Sequence, residues 1–593
     1  MMEDRELCFY DIECFRYDSL VIFKNIYNKV IGHWWNIQYP ETAKSEDLPN
    51  GFEGLKEFVT GKTLVGYNNY SYDDNILTAM MNGRPQKYIY ALNNTIIRNG
   101  SQGLKPDPVI RSLDCFQQID VSNPSLKRVE GNMGKSIIES SVDFTIQRPL
   151  TESEREEVFK YCAYDIETTI EIYKLRKHSY FEPKAQLLTM VDDLPDNAYR
   201  WNTTTLSAKV LMNRPQPMWT KLKIPPHLWR NTSLGIDNDV WDMWSKANED
   251  SLTKDIKQKK VLLNHPVEFT FSFGGLHGVA VGQTRFKNVK LLDVGSMYPT
   301  IVIFLEALGN ATEKYDGIRT HRLEVKHKDK ILSDALKLIL NSVYGNLKNQ
   351  YSLLFNPLAS ATVCIYGQIA LFDLCRRLDD AGYTVVNANT DGVAFTGTGH
   401  GYEEIWQGWE KDYAPMKLEL DEFDDWIQKD VNNYIATKGD HIKTKGGETN
   451  KYLFLPDKGV HCFFKNNSLR IVQMAMVDKL LYDTDPILTI AKNLDKPELY
   501  QTILQAGRTY QGVYDMDGKK YQNVNRVFAC KPQYAEPRMY KKRMDGGMVN
   551  FPNLPQFITV WNGDVSEFKA FPDIVDIKYY KNLTYDKLKG WRV

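Results

Sequence analysis

The sequence predicts a multidomain protein of mixed α/β and α+β class. Three observations carry that expectation. The chain has 593 residues, far more than one hydrophobic core serves, so roughly three to five domains or subdomains are expected. Its first 180 residues alternate strand-like runs with helical ones. Its middle sets a buried strand, two long helices and a hairpin in succession.

In chain order, LCFYDIE and TLVGYNN read as strands. A helix starts at TESE, where Thr151 and Glu154 form a capping box, and runs through VFKYCAYDIETTIEIYKL. Residues 190–270 are rich in Trp, Asn and Pro and read as a less regular connector. VKLLDVGSMYP (289–299) is a buried strand entering a turn. ILSDALKLILNSVYG (331–345) is an amphipathic helix, and a second helix covers about 360–381. TVVNANTDGVAF is a hairpin, because Asp-Gly between β-forming residues is a strong hairpin signal. From about 450 the chain is mixed and ends in a basic, aromatic region, KPQYAEPRMYKKR.

Composition excludes several classes. Apolar residues make up 42% and charged residues 25%, an ordinary globular balance. With 74 basic and 75 acidic residues, any polyanion site must be a local basic surface. None of the eight cysteines, Cys462 among them, forms a CxxC pair, which disfavours zinc ribbons and a disulfide framework. No signal peptide is legible at MMEDRELCFYDIE, and no apolar run approaches the eighteen or so residues of a membrane span. A reducing cytoplasm and no membrane are expected.

Two constellations carry chemistry. Asp11 and Glu13 share one face of a strand, and like charges held that close are costly unless a cation sits between them. Tyr161 and Asp165 share one face of the later helix. NNYSYDDNIL adds Asn69 and Asp73, with Asp74 as the second-choice acid. Four carboxylates and a tyrosine suit a two-metal hydrolase; two solvated acids at a strand end are the plain alternative. In this order DIE, N-x-x-Y-D and Y-x-x-x-D resemble the three motifs of the DEDD-type 3′–5′ exonuclease domains of DNA polymerases. That resemblance implies a ribonuclease H-like proofreading domain, with Asp11, Glu13, Asp73, Tyr161 and Asp165 catalytic and Asn69 contacting DNA.

The second constellation centres on NANTDGVAF (387–395), whose one carboxylate, Asp391, is either a turn residue or half of a metal site. Asp293 ends a strand, and the two could meet on one sheet. Lys337, Asn341 and Tyr344 fall at i, i+4 and i+7 and share one helix face. DVGSMYP, KLILNSVYG and NTDG resemble motifs A, B and C of family B DNA polymerases, of the compact bacteriophage type. The resemblance implies palm, fingers and thumb arranged as a right hand. The boundaries are 1–190 exonuclease domain, 191–280 connector, 281–317 first part of the palm, 318–362 fingers, 363–450 second part of the palm, and 451–593 thumb and C-terminal region. It implies metal ligation by Asp293, Asp391 and the Val294 carbonyl, with two Mg²⁺, or Mn²⁺, at each active site. Lys337 would neutralise phosphate, Asn341 and Tyr344 would border the nascent base pair, and Tyr298 would be a steric gate against a 2′-hydroxyl. Arg322 and Lys330 in IRTHRLEVKHKDK would hold the triphosphate. Tyr434, Lys443 and Lys445 would line the primer. The implied partners are primer–template DNA, dNTPs and a processivity or other replisome protein. The implied state is a monomeric phage enzyme in the bacterial host cytoplasm.

Three departures from the family pattern stand out. Asn389 replaces the first Asp of motif C, and Asn432 replaces the Lys of a K-x-Y primer motif. The linker Y-x-G-G appears as SFGG (272–275). Little room remains in 294–336 and 346–390 for the insertions of protein-primed enzymes, so a nucleic-acid primer and modest processivity are expected. Protein priming, an inactive polymerase-like scaffold and a stand-alone nuclease are the competing readings.

Overall fold

The computed structural model describes residues 6–38, 51–247, 261–449 and 469–591. Five strands build the N-terminal sheet: β1 (Leu7–Cys14), β2 (Asp18–Lys24), β3 (Val30–Ile37), β4 (Thr63–Gly66) and β5 (Ser112–Asp114), in the order β3-β2-β1-β4-β5. β1 runs antiparallel to β2 and parallel to β4, so it lies at the centre. Period-two alternation gives β1 two buried faces. Phe9 packs with Val158, Cys162 and Ile166 of the helix Glu152–Arg176. Cys8, Tyr10 and Ile12 pack with Ile76, Leu77 and Met80 of the helix Asp73–Met81. Asp11 and Glu13, in phase with Phe9, therefore face the Glu152–Arg176 helix. That helix starts where the sequence places it, with both halves of the Thr151–Glu154 capping box formed.

A nine-stranded sheet forms the centre. Its strands are β6 (Val261–Leu262), β7 (Pro266–Thr270), β8 (His277–Ala280), β9 (Arg285–Val294), β10 (Thr384–Asn389), β11 (Gly392–Thr396), β12 (Leu418–Asp430), β13 (Asn433–Lys438) and β14 (His441–Lys445). The order is β14-β13-β12-β9-β11-β10-β8-β7-β6. β9 is held antiparallel between β11 and β12. β6–β8 come from the segment read as connector, yet β8 pairs with β10, so the last part of that segment belongs to this sheet.

The anticipated helices are present. One spans Lys330–Lys348 and is capped by Asp329, which accepts from Leu332 N at 3.0 Å. Another spans Pro357–Asp380, with Asn356 as cap and proline in its first turn, where a missing N–H costs nothing. This second helix is a correction to the membrane argument, since it is long and apolar enough to cross a bilayer. However, 94% of its most apolar stretch is buried inside the protein. It is the core helix beneath the central sheet, where Gly367 leaves room for Met297: a Cβ there would stand 2.5 Å from Met297 Cε.

The C-terminal part packs the helices Arg470–Tyr482, Pro486–Lys492 and Ile577–Leu588 together. They adjoin a three-stranded sheet of β15 (Thr502–Gln505), β18 (Val524–Ala529) and β21 (Ile558–Val560). A four-stranded sheet carries β16 (Tyr510–Tyr514), β17 (Lys520–Tyr521), β19 (Tyr540–Arg543) and β20 (Met548–Asn550). The seven described cysteines are free and buried; Cys462 lies outside the described residues.

Candidate active sites

The N-terminal site grows from β1. Glu13, Asp73 and Asp165 are each at most 7% exposed, and Asp11 is half-buried. The Cys162 thiol donates to the Asp11 main-chain oxygen at 3.6 Å, which seats the Glu152–Arg176 helix on the strand. Ligand atoms of Asp11, Glu13 and Cys162 lie within 4.8 Å of one another.

The fold sets all four acids close enough to repel one another. Burial, then repulsion from Asp165, pushes the Asp11 carboxyl up to about 7. Burial raises Glu13, with Asp11 and Asp165 adding to it. Burial raises Asp73, again with Asp11 adding. Tyr161 hydrogen-bonds Asp165. Buried acids that repel one another are a donor set that divalent cations neutralise.

Adjacent acids in the YDD run separate cleanly. Asp74 is consumed structurally. It accepts from Tyr10 Oη, from Ser112 Oγ at 2.7 Å and from Asn69 Nδ2 at 3.1 Å, and it pairs with Arg200 at 2.5 Å. Asp73 instead lies close enough to Asp11 for the two carboxylates to repel. The assignment of Asn69 to DNA contact is corrected. Asn69 is fully buried, and its amide ties the turn to Asp74.

Sequence reasoning missed Lys127. Its ammonium pairs with Asp165 and, at 3.2 Å, with Glu130, and lies 4.5 Å from the Tyr161 ring centroid. Burial opposes its charge, but Asp165 and Glu130 outweigh burial and raise its pKa. Burial lifts Glu130 to about 8. Both residues sit on the short helix Leu126–Met133, capped by Ser125. In sequence, LKRVEGNM looks like any exposed amphipathic turn, so nothing there signals a buried cation.

The central site grows from β9. Asp293 pairs across to Gly392 on one side and Glu419 on the other. Val294, the last residue of β9, donates its N–H to the Asp391 carbonyl at 2.7 Å. Asp391 thus sits on the turn beside Asp293. Burial, then Asp391, pushes the Asp293 carboxyl up to about 6. Desolvation also raises Asp391, offset by Lys445 and Lys443. Glu419 is a further acid beside this pair. The acidic run LELDEFDD hid it, since five of its eight residues are carboxylates.

The hairpin is where the sequence places it, but its turn works differently. Asn389 pairs with Gly392, leaving Thr390 and Asp391 as the two-residue loop. The left-handed residue is Thr390, at φ 64°. Gly392 is an ordinary strand residue, and its missing side chain has another use. A Cβ at 392 would overlap the Asp293 carboxylate oxygen.

The linker loop closes a second side of the site. Tyr298 and Tyr344 stack with centroids 4.5 Å apart and planes 3° from parallel. The Tyr344 hydroxyl donates to Phe273 O at 3.1 Å, as does Lys348 Nζ at 2.7 Å. Gly275 has φ 140°, and a Cβ there would lie 3.3 Å from Thr390 and 3.4 Å from the Tyr298 hydroxyl. Ser272 accepts from Gly274 N at 2.9 Å and donates to Gly275 O at 3.1 Å, so the serine of SFGG holds its own turn.

Lys337 and Asn341 are exposed on the Lys330–Lys348 helix, and Lys330 is exposed at its start. Arg322 lies half-buried on the helix Thr312–Val325. Tyr434 departs from its expected role. It is 6% exposed and stacks on Trp426 at 4.1 Å, so its ring packs the sheet rather than meeting a strand of DNA. Lys443 lies 3.6 Å from Asp421. Lys445 lies 5.9 Å from the Tyr434 ring centroid.

No family model matches this chain, and no curated protein matches it. Among solved structures, the family B DNA polymerase from the hyperthermophilic archaeon Pyrobaculum calidifontis aligns over 98% of this chain and 77% of that one. The TM-score is 0.40 and the identity 13%. A likeness at that level decides neither family nor activity, so the functional reading rests on the residues.

Proposed function

We propose that the chain is a template-directed DNA polymerase with a separate 3′–5′ exonuclease centre. The observation that carries the reading is the pairing of Asp293 with Gly392, which sets Asp293 and Asp391 side by side at the end of the central sheet. The stacked Tyr298–Tyr344 pair and the outward Lys337–Asn341 face stand on neighbouring elements. The site would take primer–template DNA and dNTPs.

Asp293, Asp391 and the Val294 carbonyl would hold two divalent ions, which when bound activate the primer 3′ oxygen and neutralise the triphosphate. The protein's own groups do the rest. The Tyr298 ring, braced by Tyr344, closes the space beside the sugar. Lys337, with Arg322 and Lys330, offers positive charge to phosphate. Gly275 lets the loop approach the Asp391 turn closely.

In the N-terminal centre, Asp11, Glu13, Asp73 and Asp165 would hold the ions for phosphodiester hydrolysis. Tyr161 fixes the Asp165 carboxylate, and Lys127 supplies a cation beside the scissile phosphate.

The interval 294–336 holds the helices Met297–Phe304 and Thr312–Val325, the short 3-10 turn Gly309–Ala311 between them and the start of Lys330–Lys348. The interval 346–390 holds the end of Lys330–Lys348, the Pro357–Asp380 helix and β10. This compactness supports a nucleic-acid primer over a protein primer. The test is a recessed 3′ primer–template with Mg²⁺. Extension with dNTPs and degradation without them support both centres. Asp293→Asn should abolish extension and leave degradation; normal extension by that variant would sink the assignment.

A further inference from the structure

The Leu126–Met133 helix, which delivers Lys127 to the carboxylates, is held by the C-terminal domain. Arg526, on β18, is 0% exposed. A guanidinium has five N–H donors, and Arg526 makes five bonds, all to uncharged oxygens. Nε donates to Gln501 Oε1 at 2.8 Å. One terminal nitrogen donates to Gly563 O at 2.6 Å and Trp561 O at 3.4 Å. The other reaches across to Gly131 O at 3.2 Å and Lys135 O at 2.7 Å.

Those last two carbonyls lie at the C-terminal end of the Lys127 helix. An arginine buried without a carboxylate partner gains little stability from its charge. Its geometry is that of a clamp joining two segments almost 400 residues apart in sequence.

Other contacts run along the same seam. Ile137 N donates to Asn562 O at 2.7 Å, and Val565 N to Gly134 O at 2.9 Å. The Glu139 carboxylate accepts the N–H groups of Asn523 and Val524, each at 2.8 Å. Gly131 faces Ile503 so closely that a Cβ would stand 2.9 Å from Ile503 Cδ1. The Lys127 helix is therefore seated on β15 and β18 rather than on its own domain alone.

We propose that Arg526 is a positioning residue for the exonuclease centre. It fixes the height and rotation of the Lys127 helix, so removal of nucleotides depends on how the C-terminal domain is seated. This rests on reading the N-terminal carboxylates as an exonuclease. Misplacing a catalytic group by about 1 Å costs up to roughly 100-fold in rate. Loss of the clamp should then fall on turnover in degradation, with little effect on substrate affinity or on extension.

The test uses the full chain, a labelled single-stranded oligonucleotide for degradation and a primer–template for extension. In Arg526→Met we expect kcat for degradation to fall roughly ten- to a hundred-fold, with KM and extension within about twofold. Should Arg526→Met fail to fold, Glu139→Ala loosens the same seam and should shift the same parameter in the same direction. Lys127→Met supplies the discriminating comparison. If Arg526 acts through Lys127, the double variant degrades no more slowly than Lys127→Met alone. Additive losses, or an equal fall in extension, overturn the proposal. Unchanged degradation in both Arg526→Met and Glu139→Ala also overturns it while leaving the exonuclease reading intact. Wild-type protein that extends but never degrades overturns the exonuclease reading itself, and this proposal with it.

Discussion

The side-chain amide of Asn389 donates to Asn432 Oδ1 at 3.2 Å and to the Val431 main-chain oxygen at 2.8 Å. Two of the three places at which the sequence departs from the family pattern therefore touch. Asn389 ties the turn bearing Asp391 to the turn between β12 and β13. An aspartate at 389 would aim carboxylate oxygens at two acceptors with no donor between them. An uncompensated polar group of this kind costs roughly 1–3 kcal/mol. Asn389→Asp should lower extension even at saturating Mg²⁺. Adding Asn432→Lys supplies a cation and should restore most of the rate. Primer extension across Mg²⁺ and Mn²⁺ titrations checks this, and a single variant as fast as wild type would refute the donor role.

Gly392 gives a second prediction. Since a Cβ there overlaps the Asp293 carboxylate, Gly392→Ala should rotate Asp293 away from Asp391. The residue is already in a strand without positive φ, so alanine costs little in backbone terms. Extension should drop at least roughly a hundredfold, while single-strand degradation and the melting temperature stay close to wild type. Equal loss of both activities would show a folding defect instead.

Much of this was legible because the signals are local. The Thr151–Glu154 box, the i, i+2 acids on β1 and the i, i+4, i+7 face on the Lys330–Lys348 helix each follow from one element's period. What escaped depends on partners far away in sequence. Lys127 becomes a buried cation only when its helix meets Asp165. Asn69 is withdrawn from solvent by Asp74, and Tyr434 by Trp426. The turn at 389–392 looked like a glycine turn, but the glycine answers to Asp293, 99 positions upstream. The Pro357–Asp380 helix passes a membrane-span test on composition, and only its packing beneath the sheet shows why it is apolar.

Tyr298 can be tested as a gate separately from its packing. Its hydroxyl makes a long bond of 3.4 Å to Gly274 O and meets the Cys364 thiol, whereas its ring lies flat on Tyr344. Tyr298→Phe should keep the stack and extend with dNTPs near the wild-type rate. Tyr298→Ala opens the space beside the sugar and should raise ribonucleotide incorporation relative to deoxyribonucleotide. Competition assays with each rNTP–dNTP pair read this ratio, and an unchanged ratio in the alanine variant removes Tyr298 from the gate role.

The N-terminal carboxylates predict how stability responds to pH and metal. Asp11 is pushed up to about 7 by burial and Asp165, and Glu13 and Asp73 are raised as well. An acid whose folded pKa exceeds its unfolded value near 4 binds its proton more tightly when folded. For Asp11 the stabilising effect is complete below about pH 4, declines as pH rises, and is gone above about pH 7. Metal-free protein should thus melt at a lower temperature at pH 8 than at pH 5.5, so far as these groups govern it. Divalent ions bind the ionised carboxylates and act in the opposite sense, stabilising by mass action. Mg²⁺ should raise the melting temperature at pH 8 and much less at pH 5.5. Asp11→Asn removes one repelling charge, so it should raise the metal-free melting temperature at pH 8, shrink the Mg²⁺ increment and abolish degradation. Thermal melts with EDTA or Mg²⁺ at the two pH values measure all three. A metal-free Asp11→Asn protein that melts below wild type at pH 8 would show that the carboxylate is held by attraction rather than repulsion.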